Sequence, residues 1–87
     1  MSEDSLLSFP CDIPVKVLGR NLDAFRVAAS DIVRSHYGVL SDDRIAEQLS
    51  RNSSFLSLTF TVHATSRAQI DALYQALTAN DDVLMVL

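Results

Sequence analysis

The chain has 87 residues, of which 48% are hydrophobic and 21% are charged, and this length and composition fit one small domain. Seven Lys and Arg against eleven Asp and Glu give a net charge of −4, which disfavours a nucleic-acid partner. The single cysteine, Cys11, excludes an intramolecular disulfide and any CxxC motif for zinc or redox chemistry. Because neither a signal peptide nor a long apolar run is seen, we expect a cytoplasmic protein without a membrane partner.

The first half of the chain predicts an arm, a strand and a helix. Residues 1–11 follow neither a helical nor a strand period, and we predict that they form an N-terminal arm. Alternation of apolar residues over 13–19 predicts the first strand. Apolar residues spaced by three and four then predict a helix over 22–37, with Asn21 as its N-cap and Gly38 just beyond its end.

The second half predicts two strands, a helix and a last strand. Poor alternation over 44–50 predicts a short edge strand, and 51–54 has the composition of a hairpin turn. Strict alternation over 56–64 predicts a strand with one apolar face. A capping box that begins at Ser66 precedes a second amphipathic helix, and the apolar run 83–87 predicts the final strand.

This order of elements, β-α-β-β-α-β, predicts an α+β fold with a single domain over residues 1–87. Each helix buries its one apolar stripe if both helices pack on the same face of a four-stranded antiparallel sheet. That architecture is the ferredoxin-like two-layer sandwich, with the strand order 4-1-3-2. Phe60 then points into the core, and the uncovered face of the sheet, here called the open face, carries Lys16, Leu18, Ser57, Thr59, Thr61, His63, Leu84 and Val86.

Four segments of the chain also resemble a known family. They are FPCDIPVKVLG at 9–19, IVRSH at 32–36, FLSLTFTVHA at 55–64 and MVL at 85–87, and they are similar to segments of the YbeD family of small bacterial proteins. The resemblance extends over essentially the whole chain. It implies a ferredoxin-like fold similar to the ACT regulatory domain, in a family without an established biochemical activity. Asn52-Ser53 departs from that family, whose members often carry a glycine in the hairpin.

Catalytic and metal chemistry have little support in the sequence. A zinc site needs three or four ligands, and we expect His36 and His63 on different layers, so we predict neither a metal nor another cofactor. No serine stands in an activated-nucleophile motif. Acylphosphatases share the predicted topology, and Gly19-Arg20-Asn21 is similar to their anion-binding loop but lacks a second glycine. We therefore predict that the protein is not an enzyme, with an acylphosphatase-like hydrolase of small acyl phosphates as the alternative.

Binding is the remaining function, and the sequence offers two sites for it. The first is a loop site for a small carboxylate, as in ACT-like domains, formed by Gly19, Arg20, Asn21, Arg51 and Asn52. The alternative is that both arginines pair with Asp81 and Asp82.

The second site is a protein-interaction face formed by Ser57, Thr59, Thr61, His63, Leu84 and Val86. The open face or an apolar edge strand would also allow a homodimer. We therefore predict a regulatory or adaptor module that binds a small metabolite or a protein.

Overall fold

Two helices and four strands follow one another in the predicted order. The computed structural model describes residues 8–87. Its elements are β1 Cys11–Arg20, α1 Asp23–Tyr37, a 3-10 turn Asp42–Arg44, β2 Ile45–Leu49, β3 Phe55–Ala64, α2 Arg67–Thr78 and β4 Val83–Val86. Most of the predicted arm lies outside the described residues. Its last residue, Cys11, is the first residue of β1, where it pairs with Ala64.

The four strands form one antiparallel sheet. The strand order is β2-β3-β1-β4, which reads 4-1-3-2 from the β4 edge. The central strands β1 and β3 pair along their whole length, from Cys11 opposite Ala64 to Arg20 opposite Phe55. β4 covers only the second half of β1. The predicted α+β class, with two helices and a four-stranded antiparallel sheet, is confirmed.

Both helices pack on the same face of the sheet. The core consists of alternate residues of β1 and β3 together with three side chains from each helix, namely Phe25, Ala29, Val33, Ile70, Leu73 and Leu77. These six positions belong to the apolar stripes that the spacing of three and four predicts. Full burial of each large side chain contributes about 1.5–3 kcal/mol, so the two stripes fix both helices against the sheet.

Close packing at Gly19 determines how β1 leads into α1. A Cβ atom on Gly19 would lie 2.3 Å from Cδ1 of the buried Phe25 ring, so only glycine allows this approach. The prediction that Asn21 caps the helix is wrong, because the N-cap is Leu22, whose side chain makes no capping hydrogen bond. At the other end, Gly38 has a φ of 77°, a positive value that favours glycine, but its ψ of −170° is not that of the predicted left-handed cap.

Pro14 interrupts β1 without weakening its pairing with β3. Lys16 exchanges two backbone hydrogen bonds with Leu87, so its amide points to the β4 side of the sheet. Two residues earlier in the strand, the nitrogen of Pro14 points to the same side, beyond the stretch of β1 that β4 covers. The missing N–H of proline therefore removes no hydrogen bond to β3.

The last strand differs from the prediction in the face that one side chain occupies. Val86 lies opposite Val17 and packs against the core, so its predicted place on the open face is wrong. Met85, opposite Leu18, lies on the open face instead, and Leu84 is exposed. Because β4 is wholly apolar, its sequence carries no alternation, and a register shift in its pairing with β1 also changes the side that each residue takes.

Candidate functional site

The loop after β1 and the hairpin between β2 and β3 meet at one end of the sheet, as predicted. The backbone N–H of Asn21 donates to the carbonyl of Ser54 over 3.0 Å. Its side-chain amide donates to the carbonyl of Ser53, also over 3.0 Å. Both hydrogen bonds join the two loops, so the predicted loop site is brought together. The turn that contains Asp81 and Asp82 precedes β4 at the same end.

Three of the five residues predicted to bind a ligand have structural roles there. Gly19 packs closely against the Phe25 ring, and the Asn21 side chain donates a hydrogen bond to the hairpin. Asn52 Oδ1 accepts hydrogen bonds from Ser50 Oγ at 3.0 Å and from the N–H of Ser54 at 3.2 Å. These interactions hold the hairpin in shape and leave few polar groups at the loop site for a carboxylate ligand.

The two arginines of the loop site remain available to a ligand. Arg20 and Arg51 are both exposed. The predicted alternative was that they pair with Asp81 and Asp82, but within residues 8–87 neither arginine forms an ion pair. Each guanidinium keeps its full set of donors for a group outside this part of the chain.

A cavity of about 240 Å³ lies on the open face next to the hairpin. It is lined by Lys16, Leu18, Gln48, Leu49, Ser50, Phe55, Ser57 and Leu87. Phe55 is the first residue of β3 and shares its face with Ser57, because alternate residues of a strand point the same way. The predicted strand begins at residue 56, so the prediction misses this aromatic side chain on the open face. Extending the period of two by one residue identifies Phe55.

The apolar side chains around this cavity are well exposed. The exposed fractions are 38% for Phe55 and 59% for Leu87, and Met85 on the adjoining β4 is 50% exposed. Leu49 also borders the cavity, but it lies opposite the core residue Leu56, so its side chain points to the helix layer. Contiguous apolar surface of this kind marks interaction sites in small proteins. We call the cavity lining together with Met85 the open-face patch.

Other residues of the predicted interaction face lie away from this patch. Thr59 and Thr61 are half-buried in the middle of the sheet, and His63 lies at the end opposite the hairpin. His63 Nδ1 donates to Asp12 Oδ1 at 2.9 Å, and Arg44 Nη2 donates to Asp12 Oδ2 at 3.2 Å. The hydrogen bond from His63, followed by that from Arg44, lowers the pKa of Asp12.

A second cavity, of about 580 Å³, lies at the end of the molecule opposite the hairpin. The sequence places the two histidines on separate layers, yet His36 and His63 both line this cavity together with Arg44. The Tyr37 hydroxyl, which also lines this cavity, is buried without a hydrogen-bond partner among residues 8–87, and burial raises its pKa.

Residues 8–87 contain no cluster of three or more His, Cys, Asp or Glu side chains that could hold a metal ion.

The fold and the open-face patch define a small two-layer α+β protein with one partly apolar, uncovered sheet face. None of the helices described here is long and apolar enough to cross a membrane. The chain belongs to the family described as Protein of unknown function (DUF493), which matches residues 4–87.

Similar proteins support this assignment over the full length. UPF0250 protein NE1487 of Nitrosomonas europaea is 41% identical over 87 residues, which are 100% of both chains. A UPF0250 protein of Janthinobacterium is 42% identical over 84 residues, covering 97% of this chain and 92% of the relative. The resemblance to the YbeD family of small bacterial proteins is confirmed.

A solved structure shares the fold at low sequence identity. The solution structure of protein HP0495 from H. pylori has a TM-score of 0.73 and 17% identity, covering 100% of this chain and 94% of that protein. At this identity, the likeness is one of fold alone.

Proposed function

We propose that this protein is a non-catalytic adaptor or regulatory module, ferredoxin-like and similar to ACT domains, that binds a partner protein through the open face of its sheet. The observation that carries the proposal is the open-face patch, where exposed Phe55 and Leu87 line a cavity of about 240 Å³. A partner that covers these side chains would remove apolar area from water, which is the main favourable term in protein association.

A protein partner fits this surface better than a small polar metabolite does. Small-molecule sites combine an apolar cavity with several convergent polar groups. At the loop site, the Asn21 and Asn52 side chains are already held by the hairpin, which leaves Arg20 and Arg51 on exposed loops. Metabolite binding at that end, as in ACT-like domains, is the competing proposal.

The hydroxyl groups at the patch support a role without catalysis. Ser57 Oγ donates to the carbonyl of Gln48 at 3.3 Å, and Ser50 Oγ donates to Asn52 Oδ1 at 3.0 Å. Within residues 8–87, neither hydroxyl is paired with a histidine or carboxylate that could act as a general base.

Recovery of a partner from the protein's own cells tests the proposal. The tagged protein would be cross-linked, purified and analysed by quantitative mass spectrometry, alongside the variant Phe55→Ser/Leu87→Ser. A matched control, Val27→Ser/Val39→Ser, removes two exposed apolar side chains outside the patch. We expect a specific protein to be recovered with the wild type and with the control, and about tenfold less of it with the patch variant.

Two outcomes would contradict the proposal. Equal recovery with the patch variant, whose fold circular dichroism would verify, would place the interface elsewhere on the molecule. If no protein is recovered while added amino acids shift the amide signals of residues 19–21, metabolite binding at the loop site would replace protein binding.

A further inference from the structure

The cations of the chain divide into paired and unpaired sets. Of the seven Lys and Arg residues, four form ion pairs within residues 8–87, namely Arg26 with Asp23 and Glu47, Arg34 with Asp31, Arg44 with Asp12, and Arg67 with Asp71. In that part of the chain Lys16, Arg20 and Arg51 form none. The division is informative because the protein carries a net charge of −4, and acidic groups are in excess.

All three unpaired cations lie around the open-face patch. Lys16 lines the cavity itself. Arg20 follows on the same face of β1, directly opposite Phe55 in the strand register. Arg51 belongs to the hairpin, whose Ser50 also lines the cavity.

None of the described residues that line this cavity is an Asp or a Glu. Asp81 and Asp82 in the turn before β4, and Asp23 at the start of α1, also lie at this end of the sheet. Among residues 8–87 none of them forms an ion pair with the three cations.

We infer that the partner presents an acidic segment with apolar anchors to the open face. Its apolar side chains would enter the cavity, and flanking Asp or Glu residues would meet Lys16, Arg20 and Arg51. An apolar centre with a charged rim is the usual anatomy of a protein interface, and charge complementarity selects partners and speeds their association. This inference rests on the proposed function and names the chemistry of the partner.

Other occupants match these charges less well. A second copy of the chain would bring the same three unpaired cations to its own patch, and a two-fold contact between patches would oppose like charges. A nucleic acid would meet three unpaired cations on a protein whose net charge of −4 repels phosphates.

Selection from an unbiased library tests the inference. A random dodecapeptide library displayed on phage would be selected against the full chain, and enriched peptides would be synthesised. We expect peptides in which Leu, Ile, Phe or Met alternate or cluster with Asp and Glu. Their addition should shift the amide signals of Leu18, Gln48 and Phe55 in NMR spectra.

Matched variants then test the role of the charges. Arg20→Gln/Arg51→Gln removes two unpaired cations, whereas Arg34→Gln/Arg67→Gln removes two cations of the helices and changes the net charge equally. We expect the first variant to bind an enriched peptide about tenfold more weakly and the control to bind within about twofold of the wild type. Raising the salt concentration from about 0.05 M to about 0.5 M should weaken wild-type binding, because screening shortens the range of these attractions.

The outcomes separate this inference from the proposed function. Neutral or basic peptides that require Phe55, or equal losses in both arginine variants, would overturn the acidic partner and leave binding at the open face intact. An absence of enriched peptides would also overturn the inference, while the recovery experiment tests the proposed function independently. Self-association seen by sedimentation, and lost in Phe55→Ser, would identify a second copy as the occupant instead.

Discussion

The two ends of the open sheet face use charged residues in opposite ways. At the end away from the hairpin, Asp12 accepts hydrogen bonds from both Arg44 and His63, so the charged groups satisfy one another across strands. At the hairpin end, three cations form no ion pair with the described residues and lie beside exposed apolar side chains. Groups that pair internally contribute to holding the strands together, whereas unpaired groups beside apolar surface are available to a partner.

The largest expected effect belongs to the hairpin end, where β1 packs on α1. Gly19→Ala should lower the free energy of unfolding by about 2–3 kcal/mol, because the new methyl group would overlap the buried Phe25 ring. Gly38→Ala at the other end of α1 separates strain from overlap, because a Cβ there meets open space but φ 77° and ψ −170° are almost confined to glycine, and it should cost about 1–3 kcal/mol. Urea unfolding of both variants measures the losses. A loss below about 0.5 kcal/mol in Gly19→Ala would show that the ring moves aside at little cost.

Two tyrosine hydroxyls provide the next comparison. The Tyr74 hydroxyl donates to the Leu87 carbonyl at 3.2 Å, so Tyr74→Phe should destabilise the fold by about 1 kcal/mol. Tyr37→Phe should be neutral or slightly stabilising, because its buried hydroxyl has no partner among residues 8–87.

The same tyrosine gives a pH dependence. Burial raises the pKa of Tyr37 in the folded state above its ordinary value of 10.0. Because the protonated phenol is favoured in the folded state, the stability of the wild type is fully present below pH 10 and falls as the pH rises through the raised pKa. The melting temperature of Tyr37→Phe should fall less steeply above pH 10 than that of the wild type, and identical pH profiles would contradict the assignment.

A smaller effect is expected in the hairpin itself. Ser53 has a φ of 60°, a conformation that costs a non-glycine residue free energy. Ser53→Gly should therefore raise the free energy of unfolding by about 0.5 kcal/mol. Ser54→Gly is the control without a positive φ, and it should lower stability. A loss of stability in both variants would mean that Ser53 is not strained.

The smallest effect at neutral pH is expected at the opposite end, from Asp12→Asn, because Asp12, Arg44 and His63 are largely exposed. The folded-state pKa of Asp12 lies below its ordinary value of 3.8. Its contribution is therefore present above that value and is lost as the pH falls through the lowered pKa. The stability difference between wild type and Asp12→Asn should shrink in acid below pH 3.8. A difference that grows in acid would contradict this pairing.

Sequence periodicity sufficed for the elements whose two faces differ in polarity. The alternation in β3 and the apolar stripes of α1 and α2 predict the faces that the structure buries. Periodicity did not predict the faces of β4. Its four residues are all apolar, so the sequence does not show which face of the sheet Val86 occupies. The register shift opposite Leu18 is set by pairing with another strand, and a single segment cannot predict it.

The candidate site was predictable in place but not in detail. Topology alone brings the β1 loop to the hairpin, and the structure bears this out. Which amides bond to the hairpin depends on the turn that residues 50–54 adopt, so the structural roles of Asn21 and Asn52 could not be predicted. Likewise, Asp12 and His63 are 51 residues apart, and only the register of β1 against β3 makes them neighbours.

Pro14 affects how readily copies of the protein aggregate at high concentration. The β4 side of β1 is uncovered before Lys16 in the part of the chain described here, and such exposed strand backbone is a template on which other chains add and aggregate. At Pro14 this edge lacks an amide donor. A strand added there would therefore form one hydrogen bond fewer with β1 than it would with an edge that has no proline. One imino acid thus discourages open-ended stacking along the sheet edge, while the open face stays accessible for recognition.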